Sequence, residues 1–225
     1  MKTTFLIMLV LICRVSFVFG QTMTKKEIYT NWTDSNKSIT EKEVLSNTTQ
    51  QTLSRNKDFD SAIKKLLKEN IDTFCFFKIF LIGNLKKNNL SNYEYYLFWL
   101  YNGKFFVQKF TEKMASEKLI IDESHLINFY IENEERMKQD YIMPPIYSGK
   151  RKGTKIEYES AIQFHEKNYI VFCQLGKKFK SIQLGQSYFK DEKSLFYLDN
   201  ISTFSFHWFT IAEAEVKLLK GRFPD

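Results

Sequence analysis

The sixteen residues YYLFWLYNGKFFVQKF, Tyr95 to Phe110, hold eight aromatic side chains and, at their centre, the dipeptide Asn102-Gly103. Asn-Gly accepts positive φ at both central positions of a type I′ turn, the two-residue turn whose twist suits the strands on either side of it. With Tyr101 and Lys104 flanking that turn, the register follows. One face pairs Trp99 with Phe106, Leu97 with Gln108 and Tyr95 with Phe110. The other pairs Leu100 with Phe105, Phe98 with Val107 and Tyr96 with Lys109. Both faces are apolar near the turn, whereas an antiparallel sheet with one wet side alternates apolar and polar residues. The hairpin must therefore be covered on both sides, or one side is a ligand surface. Cover on both sides is the expectation, because aromatic stripes pack. The alternative leaves Tyr93, Tyr95, Trp99 and Tyr101 partly exposed, with Lys104 and Gln108 as polar neighbours, to hold a carbohydrate or a peptide.

The rest of the chain supplies partners for such a hairpin. DFDSAIKKLLKENID places Phe59, Ile63, Leu66 and Leu67 on one helical face and Lys64, Lys65 and Lys68 on the other, so it predicts a helix laid on a core. DTFCFFKIFLIG is an apolar run with the look of a buried strand. DESHLINFYIENEERMKQD predicts a helix capped by Asp122 or Ser124 and ended before Met143-Pro144-Pro145. IEYESAIQF alternates strictly, while NYIVFCQ and KFKSIQLG read as a second antiparallel pair around Gly176. ISTFSFHWF reads as a strand with Phe204, Phe206 and Trp208 inward. A final helix is expected from a capping box at Thr210 to Glu213, with Ala212, Val216 and Leu219 as its stripe and Gly221 as its stop. The fold class is α+β: an antiparallel sheet of hairpins flanked by about three helices.

The chain opens MKTTFLIMLVLICRVSFVFGQT, a cationic start followed by an apolar run and then Val18 and Gly20 at the small-residue positions ahead of Gln21. That is the pattern of a secretory signal peptide over residues 1–20. The run is shorter than the ~20 residues a membrane span requires, and no second uninterrupted apolar span follows. Cleavage there leaves 205 residues with a formal charge of +5, dispersed mostly as lysine, which is too diffuse to mark a specific nucleic-acid binder. Residues 21–57 are rich in Thr, Ser, Asn, Gln and Lys and read as a polar flexible arm with a short helix around Glu41 to Leu45. Residues 58–225 then form a single α+β domain. Arginine and proline are scarce beside lysine and asparagine, a bias like that of an AT-rich bacterial genome. Asn-x-Ser/Thr matches at Asn31, Asn36, Asn47, Asn89 and Asn200 are then products of composition. YYLFWLYNGKFFVQKF followed by a helix and then Met-Pro-Pro is similar to a pattern found in uncharacterised secreted bacterial proteins; the resemblance implies export and no particular chemistry.

Cys75 and Cys173 remain after cleavage, and export permits a disulfide between them. Both lie in strand-like apolar stretches, where a buried free thiol packs as a small hydrophobe, and that context favours free thiols. The histidines, His125, His165 and His207, show no metal-ligand spacing, so neither a metal site nor a cofactor is expected. Strand alternation would put His165 with Glu157 and Gln163, and His207 with Thr203 and Ser205, on polar faces. If those strands were neighbours, a His, Glu and Ser cluster could serve acid-base or nucleophilic catalysis; the plain alternative is two solvated histidines. SGKRKGTK lacks the length and ending of a phosphate loop and reads as a flexible basic connection. Lys150, Arg151 and Lys152 in it are positioned to hold an anionic envelope polymer or a protein partner at low salt. The sequence therefore predicts an exported soluble protein that binds, or accompanies the envelope, without catalysis; the alternative is a secreted hydrolase with a His/Glu-type site.

Overall fold

A computed structural model describes residues 25–27, 56–81, 93–152, 155–160 and 166–223, with only the backbone described for 148–152 and 155–160. The expected signal peptide, its cleavage site, most of the polar arm and the helix around Glu41 to Leu45 lie outside the described residues.

A six-stranded antiparallel sheet forms the centre. Its strands are β1 (Thr73–Leu81), β2 (Tyr93–Tyr101), β3 (Lys104–Thr111), β4 (Leu119–Ile121), β7 (Lys167–Leu175) and β8 (Lys178–Gly185), in the spatial order β4-β3-β2-β1-β7-β8. Two hairpins thus meet along β1 and β7. The β2–β3 register agrees with the sequence-derived one pair for pair, from Tyr95 opposite Phe110 to Tyr101 opposite Lys104. Asn102 and Gly103 have φ of 49° and 71°, the left-handed values a type I′ turn demands. β7 and β8 pair around Gly176, whose φ is 60°.

Both faces of the sheet are covered. On one lie helix α2 (His125–Met137) and helix α5 (Phe204–Leu219); Phe77, Phe98, Val107 and Val171 of the sheet pack there against Leu126, Tyr130, Trp208 and Phe209. α5 holds α2 by its first turn. The Trp208 indole N–H donates to the Leu126 carbonyl at 3.0 Å, the Trp208 ring stacks on Tyr130, and a Glu215 oxygen accepts from the Leu126 amide at 2.8 Å. On the other face lies α1 (Lys57–Lys68), with Phe59, Ile63 and Leu66 buried against Phe76, Tyr95 and Phe110. Asn56 starts α1 and anchors it. Its side-chain oxygen accepts from the amides of Asp58 and Phe59, and its side-chain nitrogen donates to Thr111 O at the end of β3.

Smaller helical segments among the described residues include α3 (Ser187–Lys190), α4 (Tyr197–Ile201) and a 3₁₀ turn, Lys220–Arg222. A separate hairpin of β5 (Ile146–Lys152) and β6 (Lys155–Ser160) is preceded by the Met-Pro-Pro segment. Pro144 and Pro145 have no amide hydrogen, and Asn200 braces their neighbour, its side chain bonding both the amide and the carbonyl of Met143. Asn200 is 1% exposed, so the Asn-x-Ser/Thr match there has no access to a modifying enzyme.

Several expectations are corrected. Residues 201–209 do not form a strand. Thr203 caps α5, which begins at Phe204, six residues before the capping box at Thr210, and the Thr210 hydroxyl donates to the Phe206 carbonyl one turn back. The inward alternation of Phe204, Phe206 and Trp208 competes with a helical stripe of Ser205, Trp208, Phe209, Ala212, Val216 and Leu219, and the longer stripe wins because it buries more against α2 and the sheet. The described residues of SGKRKGTK are strand and not loop: Ser148 to Lys152 belong to β5 and Lys155 opens β6, with an irregular register between Ser148 and Arg151. The expected cap and end of α2 hold: Ser124, one of the two caps offered, starts it, and it ends at Met137, ahead of the prolines. Leu67 is 47% exposed, off the buried face of α1. Cys75 and Cys173 stand directly opposite each other on β1 and β7 and are joined as a disulfide, not held as free thiols. Each apolar strand context was read correctly, but pairing of the two strands is a property of the whole topology.

Candidate functional site

Phe59 decides where α1 sits. Its ring stacks on Tyr95 with centroids 4.4 Å apart and meets Phe76 and Phe110 edge-on at 5.3 and 5.5 Å. That cluster seats the helix over the end of the hairpin remote from the turn. Closer to the turn, the Trp99–Phe106 row is left beside the helix instead of beneath it. A groove of about 490 Å³ results. Trp99 and Phe106 form its floor as a stacked pair, centroids 5.3 Å apart and planes 11° from parallel. Ser61, Ala62 and Lys65 on one flank of α1 make the first wall, and Ala115 and Lys118 make the second.

That second wall is tied back to β3 so that it keeps its place. Ser116 N donates to Lys109 O at 2.8 Å, Lys109 N donates to the Ser116 hydroxyl, and the Gln108 carboxamide donates to Ser116 O at 2.7 Å. From it Lys118 reaches over the Trp99 ring, its ammonium 5.5 Å from the centroid, a cation–π contact. Tyr101 forms the outer lip at 44% exposure. Charge in the lining balances, Asp58 and Glu69 against Lys65 and Lys118, with Lys65 and Glu69 3.7 Å apart along the helix.

The aromatic residues singled out in the sequence therefore divide. Tyr95 is wholly buried under Phe59 and is removed from any surface; Trp99 is 4% exposed and lines the groove; Tyr101 is open. The packed reading of the hairpin holds for both faces, and the ligand surface shrinks from a sheet face to a groove. Phe106 and Lys118 were missed. Phe106 was legible as the partner of Trp99, but the walls depend on where α1 and the turn after β3 come to rest.

His207 lies exposed on α5 while Ser205, two residues away on a helix, is buried, so the two do not share a strand face. His165 lies outside the described residues, as do the side chains of Glu157, Lys150, Arg151 and Lys152. Among the described residues no group of three His, Cys, Asp or Glu side chains is placed to hold a metal ion. No described helix is long and apolar enough to cross a membrane.

The buried ionisable groups act as clamps between elements. Burial pushes the Glu215 carboxyl above the usual carboxylate range where it meets the first turn of α2, and the amide of Leu126 only partly opposes that shift. Burial pulls the Lys180 ammonium down, while it donates to the carbonyls of Met137 and Asp140 beyond the end of α2. Glu134 is held below its usual range by the Lys178 ammonium, with Lys138 adding to it. None of these lines the aromatic groove. The chain matches no family model, no curated protein and no solved structure.

Proposed function

We propose that this is an exported, non-catalytic binding protein, acting without a cofactor, that takes its ligand in the groove floored by Trp99 and Phe106. One observation carries the reading: a stacked aromatic pair lies at the bottom of a formed groove whose lip, Tyr101, is open to solvent. A mostly apolar concavity with a few placed polar groups is the usual form of a small-ligand site. Because the lining charges balance, the chemistry suits a neutral group with an apolar face and a polar rim, as a sugar ring has. The aromatic floor would take the face, and Ser61 and Lys118 would take the hydroxyls. Export is supported by the cationic, apolar leader and by the disulfide, which is at home in an oxidising compartment.

The test uses the protein beginning at Gln21 and a panel of neutral polysaccharides, namely cellulose, chitin and xylan, with polyglutamate as the anionic control. Retention on a neutral member is expected. Tyr101→Ala should abolish it while changing stability by less than about 0.5 kcal/mol, as for other exposed positions. Equal retention of wild type and Tyr101→Ala, or retention on polyglutamate alone, would remove the groove from the function. For export, N-terminal sequencing of protein recovered outside the cytoplasm should read from Gln21; an intact Met1 on cytoplasmic protein refutes it.

A further inference from the structure

On the opposite side of the sheet a second cleft, of about 650 Å³, opens between one flank of α5 and the neighbouring ends of β1, β2 and β7. That size is within the roughly 300–1,000 Å³ of small-molecule sites. Strand register builds its floor. Ile79 sits between Glu94 on β2 and Tyr169 on β7, and Leu81 stands opposite Lys167. Leu81 is 41% exposed at the end of β1, so the apolar floor continues out to solvent. Overhead, Ala214 has a small side chain that leaves the space open, and Lys217 stands one turn-length further along the same flank.

The charges at the rim are unequal in what they are free to do. Glu94 is fully engaged: its carboxylate meets Lys220 at 3.3 Å and Lys109 at 3.5 Å, and it accepts from the Tyr96 hydroxyl at 3.2 Å. Lys167 and Lys217 make no ion pair with any described residue, and Glu213 is the one other acid in the lining. Glu213 lies near Tyr169, whose hydroxyl is pushed up to about 12 by burial first, with Glu213 and Glu166 adding to it. The cleft thus joins an exposed apolar floor to two uncommitted ammonium groups and one carboxylate, an excess of positive charge beside a strip that favours hydrocarbon.

We infer that this cleft binds a single long-chain carboxylate, its head between Lys167 and Lys217 and its chain along Ile79 and Leu81. Hydrocarbon on the floor is removed from water, and a compact anion complements the lysines. This site is separate from the aromatic groove, which lies across the sheet against α1.

The experiment titrates the protein into cis-parinaric acid, a fluorescent C18 carboxylate, below its micelle concentration. Expected are a saturable rise in emission, displacement by palmitate, and much weaker displacement by hexadecanol or hexadecyltrimethylammonium. Lys167→Glu with Lys217→Glu should weaken binding about tenfold or more, since two attractions become repulsions. Ala214→Trp should abolish binding by filling the cleft. All three positions are exposed, so unchanged thermal melts are expected and confirm folding. Tyr101→Ala should leave the titration unaltered. Absence of saturable binding by wild type, equal displacement by the cationic amphiphile, or indifference to the charge reversals would overturn the proposal. Loss of binding in Tyr101→Ala would move the probe to the aromatic groove and overturn it too, whereas failure of the polysaccharide test alone leaves it standing. Sedimentation with phosphatidylglycerol vesicles, without parinarate binding, would show adsorption to a surface instead.

Discussion

Replacing Phe98 and Trp99 by alanine, one at a time, tests both faces of the sheet with two adjacent residues. Phe98 is 0% exposed and packs towards α2 and α5; Trp99 is 4% exposed and packs towards α1. A buried aromatic side chain removes about 150–250 Å² from water, worth roughly 4–6 kcal/mol at about 25 cal/mol/Å² as an upper bound. Measured truncations of large core aromatics cost about 3–5 kcal/mol. Phe98 is enclosed by Val107 across the hairpin and Cys75 on β1, so its removal leaves a sealed void, and about 4 kcal/mol is expected. Trp99→Ala also loses the stack on Phe106, but the groove lets water and the Lys118 side chain fill part of the space. About 3 kcal/mol follows. Urea unfolding measures both. With m near 2 kcal/mol/M, midpoints should fall by about 2 M for Phe98→Ala and about 1.5 M for Trp99→Ala. A Trp99→Ala protein that unfolds at the wild-type midpoint would refute the packing of α1 on this face. A larger loss for Trp99 than for Phe98 would refute the argument from the groove.

Three further outcomes are expected. Replacing Cys75 and Cys173 together by alanine should cost about 4.7 kcal/mol of unfolding free energy by the chain-entropy estimate for their separation of 98 residues, and titration of the native wild type with a thiol reagent should find neither sulfur reactive. Gly103→Ala should cost about 1 kcal/mol in the same urea assay, all of it from the left-handed backbone, because no atom lies within 4 Å of the added methyl. Glu215→Gln should shift stability with pH in a defined direction. Burial raises the folded-state pKa of Glu215, so the wild type has its contribution in full at low pH and loses it as pH rises through that raised value. The glutamine still accepts from Leu126 N, so its melting temperature should gain on the wild type as pH rises above the ordinary carboxylate range; an unchanging difference would refute a buried, proton-binding carboxyl there.

What could be read in advance was whatever depends on neighbours in sequence. Asn102-Gly103 specifies its own backbone angles, and once the turn is placed every β2–β3 pair follows from period-two arithmetic. Gly176 does the same for β7 and β8. Failures occurred where a local pattern had two solutions. Phe204, Phe206 and Trp208 alternate as in a strand, yet Trp208 with Phe209 and Ala212 also describes a helix face, and only the presence of α2 decides between them. SGKRKGTK reads as a loop because its side chains are polar and basic, but its described residues lie in β5 and β6, and a strand pair outside the main sheet has no need of an apolar stripe. The groove itself was half legible: Trp99, Tyr101 and Phe106 come from the hairpin, whereas its depth comes from Phe59 setting α1 to one side.

The seam between β1 and β7 also sets a timetable. β2, β3 and β4 can each fold back on the strand before them as they emerge, but the other edge of β1 has no partner until β7 exists, about a hundred residues later by the separation of 98. At about 5–20 residues per second, synthesis alone keeps that edge waiting for roughly 5–20 s, far longer than a hairpin needs to close. During the wait the chain displays Phe74, Cys75, Phe76 and Phe77 on an open strand edge, the sort of surface that recruits other chains. A nascent molecule is therefore most exposed to misassociation at its middle, and any partner that shields β1 in that interval would raise the yield of folded protein without touching its final stability.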